Sequence, residues 1–330
     1  MTPSRMISGD TSEQTRFSNI LVVCDGGAGD EATMQLAVEM LADTGAVPAV
    51  MGLVAPPAGL KRLAKHAGID PEDVILRIKA EERNRLERLA SDLPNPIVID
   101  VRTGKPFLDI IRQVISEKHD LVIKAAEAWN GAPKSLFTST DQHLLRKCPA
   151  PVWLHMPQTP KPPQTVLAAV DVDFEAASQP DTLSGLNATV IETAAKIAHT
   201  SDAVLHIVHA WQAAGEGLVW MWSNMRDPQK EVDAYLQSVF EQSRKNLQDL
   251  IDTTDLPDTH LRTHSIKGSP RDVLPDKVTE LKVDTLVMGS VARTGIPGFI
   301  IGNTAEDILN RVECSVVIVK PPGYISPVKS

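Results

Sequence analysis

The segment 289–304 carries the residue types best suited to hold an anion. Gly289 and Gly302 lie near its two ends, and glycine lets the backbone approach a ligand closely or adopt positive φ angles. Asn303 suits the N-cap of a following helix, whose first amides lack intrahelical partners and favour a negative charge. The spacing therefore predicts a phosphate-binding loop with Arg293 as a mobile counter-charge. The alternative is a structural loop whose glycines only serve turns.

Other reactive residue types do not form a recognisable site. His206 and His209 are three residues apart on a predicted strand, so their side chains point to opposite faces and cannot chelate one metal ion. The three cysteines are widely spaced, which favours reduced thiols over a zinc site. The chain has no Walker GxxxxGKS motif and no nucleophile-elbow pattern. We therefore predict no catalytic residues and no metal site.

Alternating strands and helices must position the loop. Apolar runs of strand length alternate with segments of helical spacing over 20–156, and the same order resumes over 166–319. This alternation predicts βαβ units, and hence a doubly wound α/β fold with a parallel sheet covered on both faces. Ligands of such sheets bind beyond the carboxyl ends of the strands, where Asp171 and Met288 fall.

The two halves of the chain also repeat each other. At a constant offset of 164 residues, glycines, prolines and apolar positions of the second half match those of the first, for example Gly268 and Gly104. At the first strand the offset is 146, which pairs Asp171 with Asp25. Self-similarity over this length predicts two tandem α/β domains.

The proline-rich segment between the halves sets the expected domain boundaries. Proline supplies no amide donor and restricts its predecessor, which favours an extended linker. We predict a flexible N-terminus at 1–16, a first domain at 17–157, a linker at 158–164, a second domain at 165–322 and a C-terminal tail at 323–330.

Composition excludes several classes of partner. The net charge is −9, from 33 basic and 42 acidic residues, so the chain is a poor general polyanion binder and we expect no direct contact with nucleic acid. No apolar run approaches the roughly 18 residues of a membrane span, and the polar N-terminus does not resemble a secretory signal. We therefore expect no membrane span and a cytoplasmic location.

The glycine-containing loop resembles a motif of the universal stress protein family. That motif is Gly, two residues, Gly, nine residues, and Gly with Ser or Thr; here it reads Gly289, two residues, Ala292, nine residues, Gly302-Asn303. The flanking residues 293–306, the segment 320–324 and the first-half segment 143–149 resemble tandem two-domain members, and the likeness covers 17–324. It implies two domains of the adenine nucleotide alpha hydrolase-like type. It also implies a non-enzymatic stress-response regulator that aids survival under stress such as DNA damage.

The resemblance further implies ATP or a related adenine nucleotide in the second domain. Carried over by position, Asp171 and the backbone of Ile207 would hold the nucleoside, with Arg293 near the phosphates. The positions expected to meet the ribose or phosphates are Met288, Gly289, Ala292, Gly302, Asn303 and Thr304. Ala292 departs from the motif, and its Cβ would cost roughly 1 kcal/mol if the position needs positive φ.

The first half lacks the landmark glycines of this loop. The offset of 164 places Ala125 opposite Gly289 and Thr138 opposite Gly302, while Lys124 replaces an apolar residue. Close approach of the backbone to a phosphate is therefore not expected there. We predict that the first domain has lost the nucleotide site and holds no cofactor.

Two alternative functions and one question of assembly stay open at this point. The loop amides and Arg293 would suit a weak ATPase. The Trp- and Met-rich segment 218–225 would suit a carrier of an apolar or lipid-like ligand, a dimer contact, or simply a packed lid. The duplicated halves predict an internal pseudo-dimer, and a homodimer is the other arrangement expected.

Overall fold

The computed structural model describes residues 15–56, 58–94, 97–126, 138–174, 177, 179–215, 228–290 and 301–329. Three parts of the sequence discussed above lie outside these ranges. They are the N-terminal residues 1–14, the Trp-rich segment 218–225, and the loop residues Ala292 and Arg293.

Each half contains five strands separated by helices. The first half runs β1 (Ile20–Cys24), α1 (Asp30–Leu41), β2 (Ala49–Val54), α2 (Leu60–Ala67), α3 (Pro71–Ala90), β3 (Val98–Thr103), α4 (Pro106–Glu117), β4 (Leu121–Ala125), α5 (Ser139–Lys147) and β5 (Val152–His155). The second half runs β6 (Thr165–Val170), α6 (Pro180–Ser201), β7 (Val204–Trp211), α7 (Pro228–Thr253), β8 (His260–Lys267), α8 (Pro270–Leu281), β9 (Thr285–Gly289), α9 (Asn303–Leu309) and β10 (Ser315–Val319).

The ten strands form a single sheet in the order β3-β2-β1-β4-β5-β10-β9-β6-β7-β8. Strands β5 and β10 are antiparallel, with Val316 opposite Leu154, and the other neighbouring pairs of described strands are parallel. The predicted α/β class with two tandem doubly wound units is thus confirmed. The two units share one sheet and pair with each other inside the chain, whereas a homodimer stays a prediction.

Two hydrophobic cores cover the two faces of this sheet. Along β1, the side chains of Ile20, Val22 and Cys24 enter one core, and those of Leu21 and Val23 enter the other, because successive strand residues point to opposite faces. Helices α1 and α6 pack on the first face, and α4, α5, α8 and α9 pack on the second. Of the helices in the described part of the chain, none combines the length and apolar character needed to cross a bilayer.

Helix α8 is fixed at the carboxyl end of β8 by its first residues. Ser269 is the N-cap, and its hydroxyl accepts a hydrogen bond from the Arg271 amide at 3.3 Å. Pro270 at the first helical position is preset for the helix and needs no amide partner. Gly268 precedes the cap with φ +150°, and a Cβ there would lie 2.7 Å from Val273 Cγ2. The turn therefore delivers Ser269 and Arg271 to the edge of the sheet.

Candidate functional site

A cavity of about 560 Å³ lies at the carboxyl ends of the second-half strands, between α6, α8 and α9. This is the edge at which parallel α/β sheets bind ligands, and the volume lies within the range of about 300–1,000 Å³ typical of small-molecule sites. Much of the wall is apolar, from residues of β7, α6, α8 and α9, whereas most of the polar groups lie at strand ends and helix starts, and Asn187 lies within α6. The cavity suits a ligand with one apolar part and several polar groups.

The structure brings six of the predicted residues together around this cavity. They are Asp171, Met288, Gly289, Gly302, Asn303 and Thr304. Ile207 is not among the residues that line the cavity, and its side chain is fully buried in the core, so the role predicted for its backbone stays a prediction. Val208 and Ala210, which alternate with it along β7, line the cavity instead. Ala292 and Arg293 lie outside the described residues.

Asn187 fixes the end of β6, where Asp171 lies. Its side-chain oxygen accepts a hydrogen bond from the Asp171 amide at 3.1 Å, and its Nδ2 donates to the Asp171 carbonyl at 2.6 Å. Asn187 is itself buried and lines the cavity. The Asp173 amide donates to Asp171 Oδ1 at 3.2 Å, which orients that carboxylate. Sequence reasoning missed Asn187, because a single asparagine within a helix gives no signal of this role.

Gly289 accommodates a neighbouring side chain. A Cβ at this position would lie 2.6 Å from Leu186 Cδ2, so any larger residue would collide with the leucine. In the first half the glycine lies at the helix instead of the strand. Ala125 stands in place of Gly289, and a Cβ on Gly29, the N-cap of α1, would lie 2.5 Å from the Cβ of Ala125. The space above Gly289 is thus taken by Leu186, and a ligand would lie beside the leucine rather than directly on the glycine.

Helix α9 begins one residue earlier than the sequence predicts. Gly302 is the N-cap, with no side-chain cap hydrogen bond, and Asn303 is the first helical residue. The Gly302 amide donates to the Ser290 carbonyl at 3.1 Å, and the Gly302 carbonyl accepts from the Glu306 amide at 2.9 Å. These bonds hold the end of the loop against β9 and place Asn303 and Thr304 in the cavity wall.

Arg271 completes the cavity wall, and sequence reasoning did not single it out. Its guanidinium forms an ion pair with Asp307 of α9 at 2.6 Å. Arg311, which follows α9, in turn pairs with Asp272 at 3.0 Å and donates to the Arg271 carbonyl. These contacts tie the start of α8 to α9. In the sequence, Arg271 is marked only by its place two residues after Ser269, the N-cap of α8.

The equivalent place in the first half holds a cluster of charged side chains. The buried ammonium of Lys124 lies 2.7 Å from Asp25 Oδ2 and 3.2 Å from Asp141 Oδ1. Burial alone would lower the pKa of Lys124, but the attraction of Asp141 and Asp25 holds that pKa above its ordinary value. At the same offset Met288 and Ala305 replace Lys124 and Asp141, and both of these residues line the cavity.

A second charged network lies at the end of β1. The buried carboxylate of Asp30 accepts hydrogen bonds from the amides of Asp25 and Gly26 at 3.3 and 3.1 Å. Arg85 pairs with it at 2.5 Å and also with Glu82 at 2.7 Å. Burial raises the pKa of Asp30, although the bond to Arg85 opposes that shift. Asp30 therefore holds its strand end as Asn187 does, with a charge in place of an amide.

The remaining reactive side chains do not form a metal or redox centre. Within the described ranges, no group of three or more His, Cys, Asp or Glu residues is arranged to hold a metal ion. The His206 ring stacks on that of His264, with Nδ1 and Nε2 joined by a 2.8 Å hydrogen bond. All three cysteines are buried free thiols, and burial raises the pKa of Cys148 and Cys314 to about 12.

Comparisons with known proteins agree with this architecture. The model of the universal stress protein family matches residues 16–155 and 180–320. The chain is 32% identical to universal stress protein E of Escherichia coli K12 over 226 residues, which is 68% of each protein. It is 25% identical to universal stress protein E of Photorhabdus laumondii over 324 residues, 95% of this chain and 98% of that one. A putative universal stress protein from Pseudomonas aeruginosa UCBPP-PA14 superimposes with a TM-score of 0.64 at 22% identity, covering 94% and 95% of the two chains.

Proposed function

Since this chain belongs to the universal stress protein family, we propose that it is a stress-response protein whose second half binds an adenine nucleotide or a related ligand. The stress-response role follows from the family. The ligand would occupy the cavity between α6, α8 and α9 and act by shifting the protein between conformational states rather than by being consumed. Universal stress proteins are generally non-enzymatic, which agrees with this mode of action.

The single observation that carries the proposal is the convergence of six predicted residues on one cavity. They come from three separate parts of the second half: the end of β6, the end of β9 and the start of α9. A merely structural glycine loop has no need to place these polar strand ends around an open space of about 560 Å³. The convergence therefore supports a ligand site rather than turn geometry alone.

The wall of the cavity matches the parts of a nucleotide. Val208, Val190 and Leu274 offer apolar contact for a flat base. Asp171 presents a carboxylate oriented by the Asp173 amide, and carboxylates accept hydrogen bonds from ribose hydroxyls. The polar groups of Asn303 and Thr304 lie along the rest of the wall. The proposed ligand thus satisfies both kinds of surface that the cavity offers.

The first half supports a stoichiometry of one ligand per chain. Its Lys124 ammonium lies between Asp25 and Asp141 at the place equivalent to part of the cavity wall. A phosphate-bearing ligand would have to displace an internal ion pair and meet two carboxylates there. We therefore expect nucleotide binding in the second half only.

The direct test transfers the ion cluster of the first half into the second. The variant Met288→Lys with Ala305→Asp places an ammonium and a second carboxylate beside Asp171. We expect wild-type protein to bind a non-hydrolysable ATP analogue at one site per chain by isothermal titration calorimetry, and the exchange variant to lose that binding. The matched control is Lys124→Met with Asp141→Ala, which changes the equivalent positions of the first half and should keep one site.

The same titration distinguishes the proposal from its alternatives. Two equivalent sites in the wild-type chain, or full binding by a folded exchange variant, would contradict the proposed site. Phosphate release from ATP, lost in the exchange variant, would favour a weak ATPase. Native mass spectrometry of the purified protein would favour an apolar carrier if it detected a retained lipid in place of a nucleotide.

A further inference from the structure

The cavity of the second half has an uneven distribution of charge. Of the described residues that line it, Arg271 alone carries a positive charge, whereas Asp171 and Asp173 carry negative charges. The acids follow β6, and Arg271 lies at the start of α8, after β8. A ligand with one anionic group is therefore repelled from the β6 end and attracted toward α8.

The Arg271 guanidinium is held in place before any ligand arrives. Its ion pair with Asp307 is 2.6 Å long, and both side chains are about half exposed. The main chain at this residue is fixed by the Ser269 cap and by Arg311, which donates to the Arg271 carbonyl. Arginine has five N–H donors, and one ion pair uses only part of them. A fixed fork of this kind suits a phosphate group, which it can contact through two parallel hydrogen bonds.

The first half provides an internal comparison for this position. At the offset of 164, Phe107 stands in place of Arg271 and His143 in place of Asp307. Their rings stack with centroids 4.1 Å apart. The cation thus lies in the wall of the second-half cavity, whereas in the first half an aromatic stack replaces the ion pair and Lys124 stands in place of Met288.

We propose that Arg271 is the residue that selects a phosphate-bearing ligand, by binding the phosphate nearest the nucleoside. This inference rests on the proposed function and adds to it the side chain that recognises the phosphate group. Asp307 acts as a positioning residue, since it orients the guanidinium without lying in the cavity wall.

The experiment compares the affinities of adenosine, AMP and pyrophosphate for the full chain by isothermal titration calorimetry. We expect wild-type protein to bind AMP about tenfold more tightly than adenosine, the discrimination typical of one charge-assisted contact. Arg271→Gln should reduce this preference to less than about twofold, because it weakens AMP binding more than adenosine binding. Arg271→Lys should keep part of the preference, because it retains the charge but not the fork.

The matched control is Arg262→Gln, which removes the same charge from an exposed residue of β8 outside the cavity wall and should keep the tenfold preference. Equal affinity of wild-type protein for AMP and adenosine, or an undiminished preference in Arg271→Gln, would overturn the role of Arg271. If adenosine and AMP fail to bind but pyrophosphate binds in an Arg271-dependent way, the role of Arg271 stands and the adenine proposal falls. Absence of binding by all three ligands would overturn both.

Discussion

The ends of β4 and β9 occupy equivalent places in the two halves, yet they are filled in opposite ways. In the first half, Lys124 lies buried between Asp25 and Asp141. In the second half, Met288 and Ala305 leave room for a cavity beside Asp171. The comparison teaches that the residues at two equivalent positions, one on a strand and one on a helix, differ between an internal ion pair and the wall of a cavity.

The same contrast extends to the groups that hold the first strand of each half. Asp30 binds the main chain after β1 with a carboxylate and requires Arg85 as its counter-ion, whereas Asn187 binds the main chain after β6 with a neutral amide. The first half therefore buries charges that stabilise one another. The second half keeps its charges at the cavity, where a ligand can reach them.

The largest expected effect is that of removing Lys124. Lys124→Met leaves Asp141 buried without its counter-ion, and breaking a buried ion pair in this way typically costs about 3–5 kcal/mol. We expect a loss of this size in the free energy of unfolding, measured by denaturant titration. Lys124→Met with Asp141→Ala should recover part of the loss. A single variant as stable as wild type would show that the cluster contributes nothing to folding.

A smaller effect is expected from substitutions at the contact between Gly289 and Leu186. Gly289→Ala forces a methyl group against Leu186 and should lower the free energy of unfolding by about 1–3 kcal/mol, as overpacking does. Adding Leu186→Ala removes the obstacle, so the cost of Gly289→Ala should vanish in that background. Equal costs of Gly289→Ala in both backgrounds would refute the contact.

A pH-dependent effect should separate Lys320 from Lys124, which are both buried. Lys320 donates to the Leu145 carbonyl, no carboxylate among the described residues pairs with it as Asp25 and Asp141 pair with Lys124, and burial lowers its pKa to about 8. The folded protein releases this proton near pH 8 while the unfolded chain keeps it until about pH 10.5. This group therefore makes stability rise with pH over that window, by up to about 1.4 kcal/mol per unit.

The measurement compares wild-type protein with Lys320→Met by denaturant titration between pH 7 and 10. We expect the free energy of unfolding of wild-type protein to increase relative to that of Lys320→Met as the pH rises. Tyr324, whose pKa is raised by burial, opposes the trend above about pH 10, so the comparison ends there. A difference independent of pH would mean that Lys320 stays charged in the folded protein.

The smallest effect on stability is expected from the exchange of Arg271 and Asp307. Arg271→Phe with Asp307→His rebuilds the stack of Phe107 and His143 in the second half. Because the ion pair is half exposed, its loss should change the free energy of unfolding by less than about 1 kcal/mol, while the preference for AMP over adenosine disappears. Thermal denaturation would measure the change in stability, and calorimetric titration would measure the preference for AMP. A large loss of stability or an unchanged preference would contradict the prediction.

Much of the fold was predictable because its signals are local. The alternation of apolar runs with helical spacing predicts the strands and helices, and the offset of 164 predicts the duplication. The joining of both halves into one sheet was not predictable, since the pairing of β5 with β10 depends on contacts more than 150 residues apart, as between Leu154 and Val316. Periodicity within a strand carries no information about its neighbour.

The parts of the site that are formed by strand ends and helix starts were predictable from the sequence. The parts that depend on the direction of individual side chains were less predictable. Asp171, Met288 and Gly302 lie around the cavity because strand ends and helix starts meet there in this fold. The prediction for Ile207 concerned its backbone, and the side chains of β7 that line the cavity are those of its neighbours Val208 and Ala210. Arg271 was missed because a charged residue in a first helical turn is as common on a plain surface as at a site.

The antiparallel pairing of β5 with β10 means that the 158–164 segment is a tether but not the bond between the halves. Main-chain hydrogen bonds and the two shared cores would hold the molecule together after cleavage of that segment. Either half produced alone would instead expose the edge of β5 or β10, and a bare edge strand is a template for self-association. The two halves are thus permanently paired within one chain, with a cavity at the strand ends of the second half and the Lys124 ion cluster at the equivalent described residues of the first.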